Sequence, residues 1–186
     1  GKNYAFRPYF KDAVTGKSGR YFALGTVSKK RGYYFSYPVY QRSRIIGVVV
    51  VKIDLNEIES DWTDPDLDIL VTDEDGVIFI STREDWKFRT LRPLSQADIQ
   101  RIANSLRYGD HRLTALDIVA EEPREKGGAL ITLVDGQRID NQALDGIKPR
   151  ELLLQSRYLD GTGLTVVVLA STKPVKVRMF YAALTT

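Results

Sequence analysis

The 186-residue chain contains no cysteine, one histidine (His111) and one methionine. The missing thiols exclude disulfides and thiolate metal sites. A single histidine excludes a multi-histidine metal centre, and any Ser/His chemistry would have to use His111 alone. Long apolar runs are also scarce. The longest, "IIGVVVV" at 45–51, is strand-sized, and no stretch has the form of a signal peptide or a membrane span. Charge of one sign is not in excess: 27 basic residues face 24 acidic ones. The one clean basic run, "KKR" at 29–31, reads as a hairpin tip and not as the basic stripe of a nucleic-acid binder.

What the chain does contain is a repeat. "GVVVVKIDLNEIES" (47–60) resembles "LTVVVLASTKPVKV" (164–177), each a strand running into a polar cap and a helical turn. "REDWKFRTLRPL" (83–94) likewise resembles the opening "GKNYAFRPYF": aromatics, then Phe-Arg, then proline. Two copies of one module are expected. The second copy has a hairpin, 66–82, around "DEDG" at 73–76, and the first lacks it. The reading is therefore that residue 1 lies inside a domain whose first elements precede it.

In the first module, strands are predicted near 20–27, 32–40 and 45–55, with Asn56 capping a short helix "EIESDW". "TDPD" at 63–66 is the expected linker. In the second module, the hairpin is followed by a helix over about 96–107, with Ser95 as N-cap, Asp98 at the capping-box position and Gly109 as terminator. "EEPREKGG" (121–128) reads as a solvated loop. Strands are predicted near 129–135, 150–159 and 163–171, the last two joined by the "LDGTG" turn, before a final helix from about Thr172. Strands dominate and pair locally, and helices cover one side. This is α+β, with two tandem PAS-like modules built on antiparallel sheets.

Two cations stand in unusual company. The strand 45–55 is apolar on both faces, which predicts cover on both sides, and Lys52 lies on its Val48/Val50 face. Its counterpart in the second copy is Leu169. Arg7 sits among aromatics and directly before Pro8. Singly, each has a plain reading: Lys52 snorkels or pairs locally, and Arg7 makes a surface contact or salt bridge. Together, a planar fork and a point charge on separate elements suit a small dianion. Gly25 would let a backbone N–H approach a ligand, Thr26 offers a hydroxyl, and Ser36 needs a partner if buried. Alternation places Tyr34 and Ser36 on one face of their strand and Tyr33, Phe35 and Tyr37 on the other. Tyr4, Tyr9 and Phe10 are candidate aromatic walls. The acidic "DPDLDILVTDEDG" lacks EF-hand spacing, and "DGTGLT" lacks a P-loop lysine.

The series "NYAFRPYF", "GRYFALGTVSKKRGYYFSYPVY", "IIGVVVVKIDL" and "LVTDEDGVIFISTREDWKFRTL" resembles the extracytoplasmic sensor region of DctB-type C4-dicarboxylate sensor histidine kinases. These carry tandem PDC, or double-Cache, modules. The resemblance implies a periplasmic region of an inner-membrane protein, a homodimer, and a long N-terminal helix preceding this chain. It implies a membrane-distal binding module at 1–62, a linker at 63–66 and a membrane-proximal relay module at 67–186. It further implies succinate, fumarate or malate as ligand, and a dicarboxylate transporter as a membrane partner. Carried over by motif, Arg7 and Lys52 bind carboxylates, with Thr26, Ser36 and the Gly25 backbone as donors and Tyr4, Tyr9 and Tyr34 as pocket residues. No catalysis by this chain, no cofactor and no metal are expected, and the kinase with its phosphorylated histidine lies outside it. Three rivals remain. An amino-acid double-Cache sensor would want an acidic residue for the ammonium group. A hydrolase or transferase would want a catalytic pair, and an interaction module would have a filled distal core.

Overall fold

The computed structural model describes residues 3–134 and 149–173. The chain divides into two compact units. Unit 1 is Gly1–Asp61 with Ser95–His111, and unit 2 is Trp62–Leu94 with Arg112–Thr186.

Unit 1 opens with helix α1 (Pro8–Val14). Proline at the first helical position has its φ preset and needs no N–H partner there, so the chain enters the helix directly from Arg7. Strands β1 (Gly19–Leu24), β2 (Arg31–Gln41) and β3 (Arg44–Asp54) follow as an antiparallel meander in that order. α1 packs on one face of this sheet, and Gly19 makes that approach feasible. A Cβ at Gly19 would lie 2.6 Å from the Tyr9 carbonyl oxygen, 2.7 Å from the Tyr9 Cα and 2.5 Å from Ser36 Oγ. Tyr9 then stacks on Tyr34 at 5.3 Å and tilts against Tyr21 at 6.3 Å, a small core that also holds Ala23. The opposite face carries Phe22 stacked on Tyr33, with Phe35 beside it, as the alternation predicts.

Helix α2 (Leu55–Ser60) closes the meander. Its cap is Asp54, whose carboxylate accepts from the Asn56 N–H at 3.0 Å, and not Asn56 as predicted. The Asn56 side chain is used elsewhere. With Glu59, it takes the buried Arg31 guanidinium, at 2.6 Å for Asn56 and 2.5 and 2.6 Å for the two Glu59 oxygens. That clamp ties the start of β2 to the helix that ends β3.

Helix α3 (Gln96–Ser105) is where the domain reading and the structure diverge. Ser95 caps it as expected, accepting from the Asp98 N–H at 3.1 Å. It ends at Leu106 in the left-handed conformation, three residues before Gly109. It packs in unit 1, although its chain neighbours on both sides belong to unit 2. Ile102 and Tyr108 are buried in this segment.

Unit 2 holds β4 (Leu67–Thr72), β5 (Ile78–Ser81), β6 (Arg89–Thr90), β7 (Thr114–Ala115), β8 (Ile118–Pro123), β9 (Gly128–Leu133), β10 (Arg150–Leu159) and β11 (Leu164–Ser171). Six of these form an antiparallel sheet in the order β5-β4-β11-β10-β9-β8. The "DEDG" turn folds as read, because the buried Asp73 carboxylate accepts from the N–H groups of Asp75 and Val77 at 3.0 and 2.9 Å. The predicted loop 121–128 instead contributes Glu121–Pro123 to β8 and a 3₁₀ turn over Glu125–Gly127. β8 lies at the sheet edge, which is why it reads as polar. Trp86, Leu70, Ile78, Ile131, Leu152, Val167 and Leu169 fill the core. The predicted final helix falls mostly outside the described residues.

One expectation about β3 is overturned. It is not covered on both faces: among the described residues it pairs only with β2, and Val49, Val50, Val51 and Ile53 are all exposed.

Candidate ligand-binding site

A cavity of about 630 Å³ opens in unit 1. Three elements wall it. The first is the chain around the start of α1, with Asn3, Tyr4, Arg7, Tyr9 and Phe10. The β1–β2 loop adds Gly25–Ser28, and the sheet adds Tyr34, Val48, Val50 and Lys52. Period-two alternation explains the last set. Tyr34 faces Lys52 in register and Ser36 faces Val50, so side chains two apart on β3 share the cavity face. No Asp or Glu is among the described residues lining it.

Arg7 is 2% exposed. Its Nη2 donates to the Leu24 carbonyl at 2.9 Å and its Nη1 to the Leu106 carbonyl at 3.4 Å. Both carbonyls belong to unit 1. The guanidinium plane is thus held from two sides. Each Nη carries a second N–H, so the fork keeps donors for an anion. The rings of Phe6 and Tyr21 lie 5.1 and 6.0 Å from the guanidinium carbon.

Lys52 differs from its expected state: it is exposed, not buried. Among the described residues β3 is the last strand of its sheet and little packs over it there. Its stem lies across Gly32, where a Cβ would come within 2.2 Å of Lys52 Cε. Its ammonium reaches Ser28 Oγ and the Lys30 carbonyl, both at 3.4 Å, and sits 5.8 Å from the Tyr34 ring.

The hydrogen-bonding lining also departs from expectation in two places. The Gly25 N–H is already spent on the Lys30 carbonyl at 2.9 Å. Gly25 is needed instead for closeness, since a Cβ there would lie 2.3 Å from Ser28 Oγ. Ser36 does not line the cavity. Its buried hydroxyl donates to the Tyr9 carbonyl at 2.6 Å, which makes it a prop for α1, and it borders a separate groove of about 210 Å³. Thr26, Tyr4, Tyr9 and Tyr34 do line the cavity. Burial pushes the Tyr9 and Tyr34 phenols above their ordinary 10.0, partly opposed by Arg7. They therefore stand as neutral O–H donors at physiological pH.

Phe10, a candidate aromatic wall in the sequence, lines the cavity too, whereas Asn3, Ser28, Val48 and Val50 were not singled out as pocket residues. Val48 and Val50 share their alternation with Lys52, which is the signal that could have found them. The Leu106 carbonyl, 99 residues from Arg7, has no signal in sequence.

Two units of antiparallel sheet, the first with a cationic cavity, have the α+β architecture of a PAS-like sensor region. More narrowly, the chain is a DctB-type sensor region, as comparison with known proteins shows. The chain is 50% identical over 107 residues to the C4-dicarboxylate transport sensor protein DctB of Pseudomonas aeruginosa, covering 58% of this chain and 18% of that protein. It is 34% identical over 131 residues to the DctB of Rhizobium meliloti, covering 70% of this chain and 21% of that protein. The crystal structure of the V. cholerae histidine kinase DctB sensor domain superposes with a TM-score of 0.77 at 32% identity, over 92% of this chain and 62% of that one. The chain spans about a fifth of the length of these curated relatives. No family model matches it. No helix among the described residues is long and apolar enough to cross a membrane.

Proposed function

We propose that unit 1 binds a C4-dicarboxylate such as succinate, fumarate or malate, and that the chain acts as the periplasmic sensor region of an inner-membrane two-component histidine kinase controlling dicarboxylate transport. The observation that carries this reading is the cavity with Arg7 and Lys52 on separate walls and no acidic residue in its lining. Arg7, fixed by two carbonyls, presents a fork to one carboxylate. Lys52 meets the second as a mobile point charge. Thr26 and the phenols of Tyr4, Tyr9 and Tyr34 supply hydroxyl groups between them. The chain itself works by binding and performs no chemistry. Occupancy shifts a two-state arrangement of a homodimer, and the segment after Thr172 carries that shift toward the membrane. The rival amino-acid reading needs an anionic group for the substrate ammonium, and the described lining residues include no Asp or Glu.

Titration calorimetry of succinate into the full sensor region tests this. Wild type binds. Lys52→Met, at an exposed position screened by water, weakens binding about tenfold. Arg7→Ala abolishes it. Failure of the wild type to bind any dicarboxylate, or binding of an amino acid in its place, rejects the reading.

A further inference from the structure

Arg7 is held in part by a segment drawn from elsewhere in the chain. Ser95–His111 leaves unit 2 after Leu94 and returns to it at Arg112, yet packs as part of unit 1. Its attachment there is specific. The Leu24 N–H donates to the Arg107 carbonyl at 2.8 Å, and Arg107 Nε donates to the Phe22 carbonyl at 3.0 Å. The Arg107 guanidinium lies 4.8 Å from the Tyr21 ring, which in turn packs on Tyr9 of the cavity wall. One residue earlier, Leu106, in the left-handed conformation, offers its carbonyl to Arg7 Nη1. Arg107 itself does not line the cavity.

From this we infer that Arg107, together with the Leu106 carbonyl, positions Arg7 for its ligand, so that cavity occupancy and docking of the 95–111 segment are coupled. The inference rests on the reading that Arg7 receives a ligand carboxylate. At 3.4 Å the Arg7–Leu106 bond is longer than a well-formed N–H···O bond, so this side of the fork is held loosely. A carboxylate on the remaining N–H groups immobilises the guanidinium, so less freedom is lost in holding its bond to Leu106. Ligand and segment then stabilise each other's placement, and the effect is reciprocal by linkage. Because the segment continues at both ends into unit 2, it is a covalent route by which unit 2 senses the state of unit 1.

The test combines hydrogen exchange with calorimetry on the full sensor region, using succinate. Succinate should slow exchange across 95–111 as well as across 3–10 and 25–34. Arg107→Met, which keeps the stem and removes the donor, should weaken succinate binding about fivefold or more. Arg107→Lys, whose ammonium still reaches the Phe22 carbonyl, should recover most of that loss. Unchanged exchange in 95–111 while the cavity segments are protected overturns the inference. So does wild-type affinity in Arg107→Met, or equal loss in Arg107→Lys. If the wild type binds no dicarboxylate, the proposed function falls first and this inference with it, which distinguishes the two failures.

Discussion

Strands β3 and β11 carry nearly the same apolar run, "GVVVVKID" and "LTVVVLAS", and they end up in opposite surroundings. β11 sits between β4 and β10, with Val167 and Leu169 sealed in the core around Trp86. β3 has one partner among the described residues, and its valines face outward or into the cavity. Lys52 and Leu169 occupy the same place in the repeat. In one unit the position is open and carries a charge, and in the other it is closed and carries a methyl fork. The two runs match in sequence, while their surroundings decide whether the position can carry an ion.

Exchanging the two residues should break this symmetry unequally. Leu169→Lys puts an unpaired ammonium into a filled core and should cost about 4 kcal/mol or more, read as a drop in the denaturation midpoint. The reverse change, Lys52→Leu, should stay within about 0.5 kcal/mol of wild type, because the position is exposed. Comparable losses from the two changes would mean that Lys52 is structural. Next in size is Gly19→Ala, which forces α1 off the sheet. A cost of about 1–3 kcal/mol is expected, with weaker succinate binding, because Tyr4 to Phe10 move together. Normal binding in that variant would detach the cavity from α1. Smallest is the effect of mild alkali. The Tyr9 and Tyr34 phenols titrate above their ordinary value, so the folded state favours their neutral form. Their contribution is intact below about pH 10 and is lost only as pH climbs through the raised values. Succinate affinity should therefore be flat from pH 7 to 9, and a fall in that window would point to a different titrating group.

Much of this fold is legible because local chemistry writes it. Asp73, the "DGTG" turn and Ser95 with Asp98 each use a side chain or a glycine that the local geometry demands, and each falls where predicted. The α1 helix is announced by Pro8 and is easily passed over, because a seven-residue helix carries little periodicity. The environment of β3 is not legible. An all-apolar strand reads as covered on both sides, and whether neighbours exist to cover it is decided far away in the chain. The same holds for the docking of α3 in unit 1. Its caps are local and visible, while its packing depends on bonds from Arg7, Phe22 and Leu24. Within the candidate site, residue types and alternation bring seven of the eight predicted residues to one cavity. Ser36 shares their parity but is claimed by the Tyr9 carbonyl.

The placement of Lys52 over Gly32 has a consequence for selectivity. The bare backbone at Gly32 gives the lysine stem a smooth bed, and among the described residues its ammonium makes two long hydrogen bonds, both at 3.4 Å, besides facing the Tyr34 ring. One end of the cavity is thus a buried arginine anchored on the Leu24 carbonyl, and the other is an exposed, more compliant lysine. On the proposed function, a receptor built this way would test the first carboxylate for shape and the second mainly for charge. It would tolerate differences in length and in substitution between the two. Discrimination among diacids would then fall to the neutral donors along the middle of the cavity, whose reach is set by rigid rings.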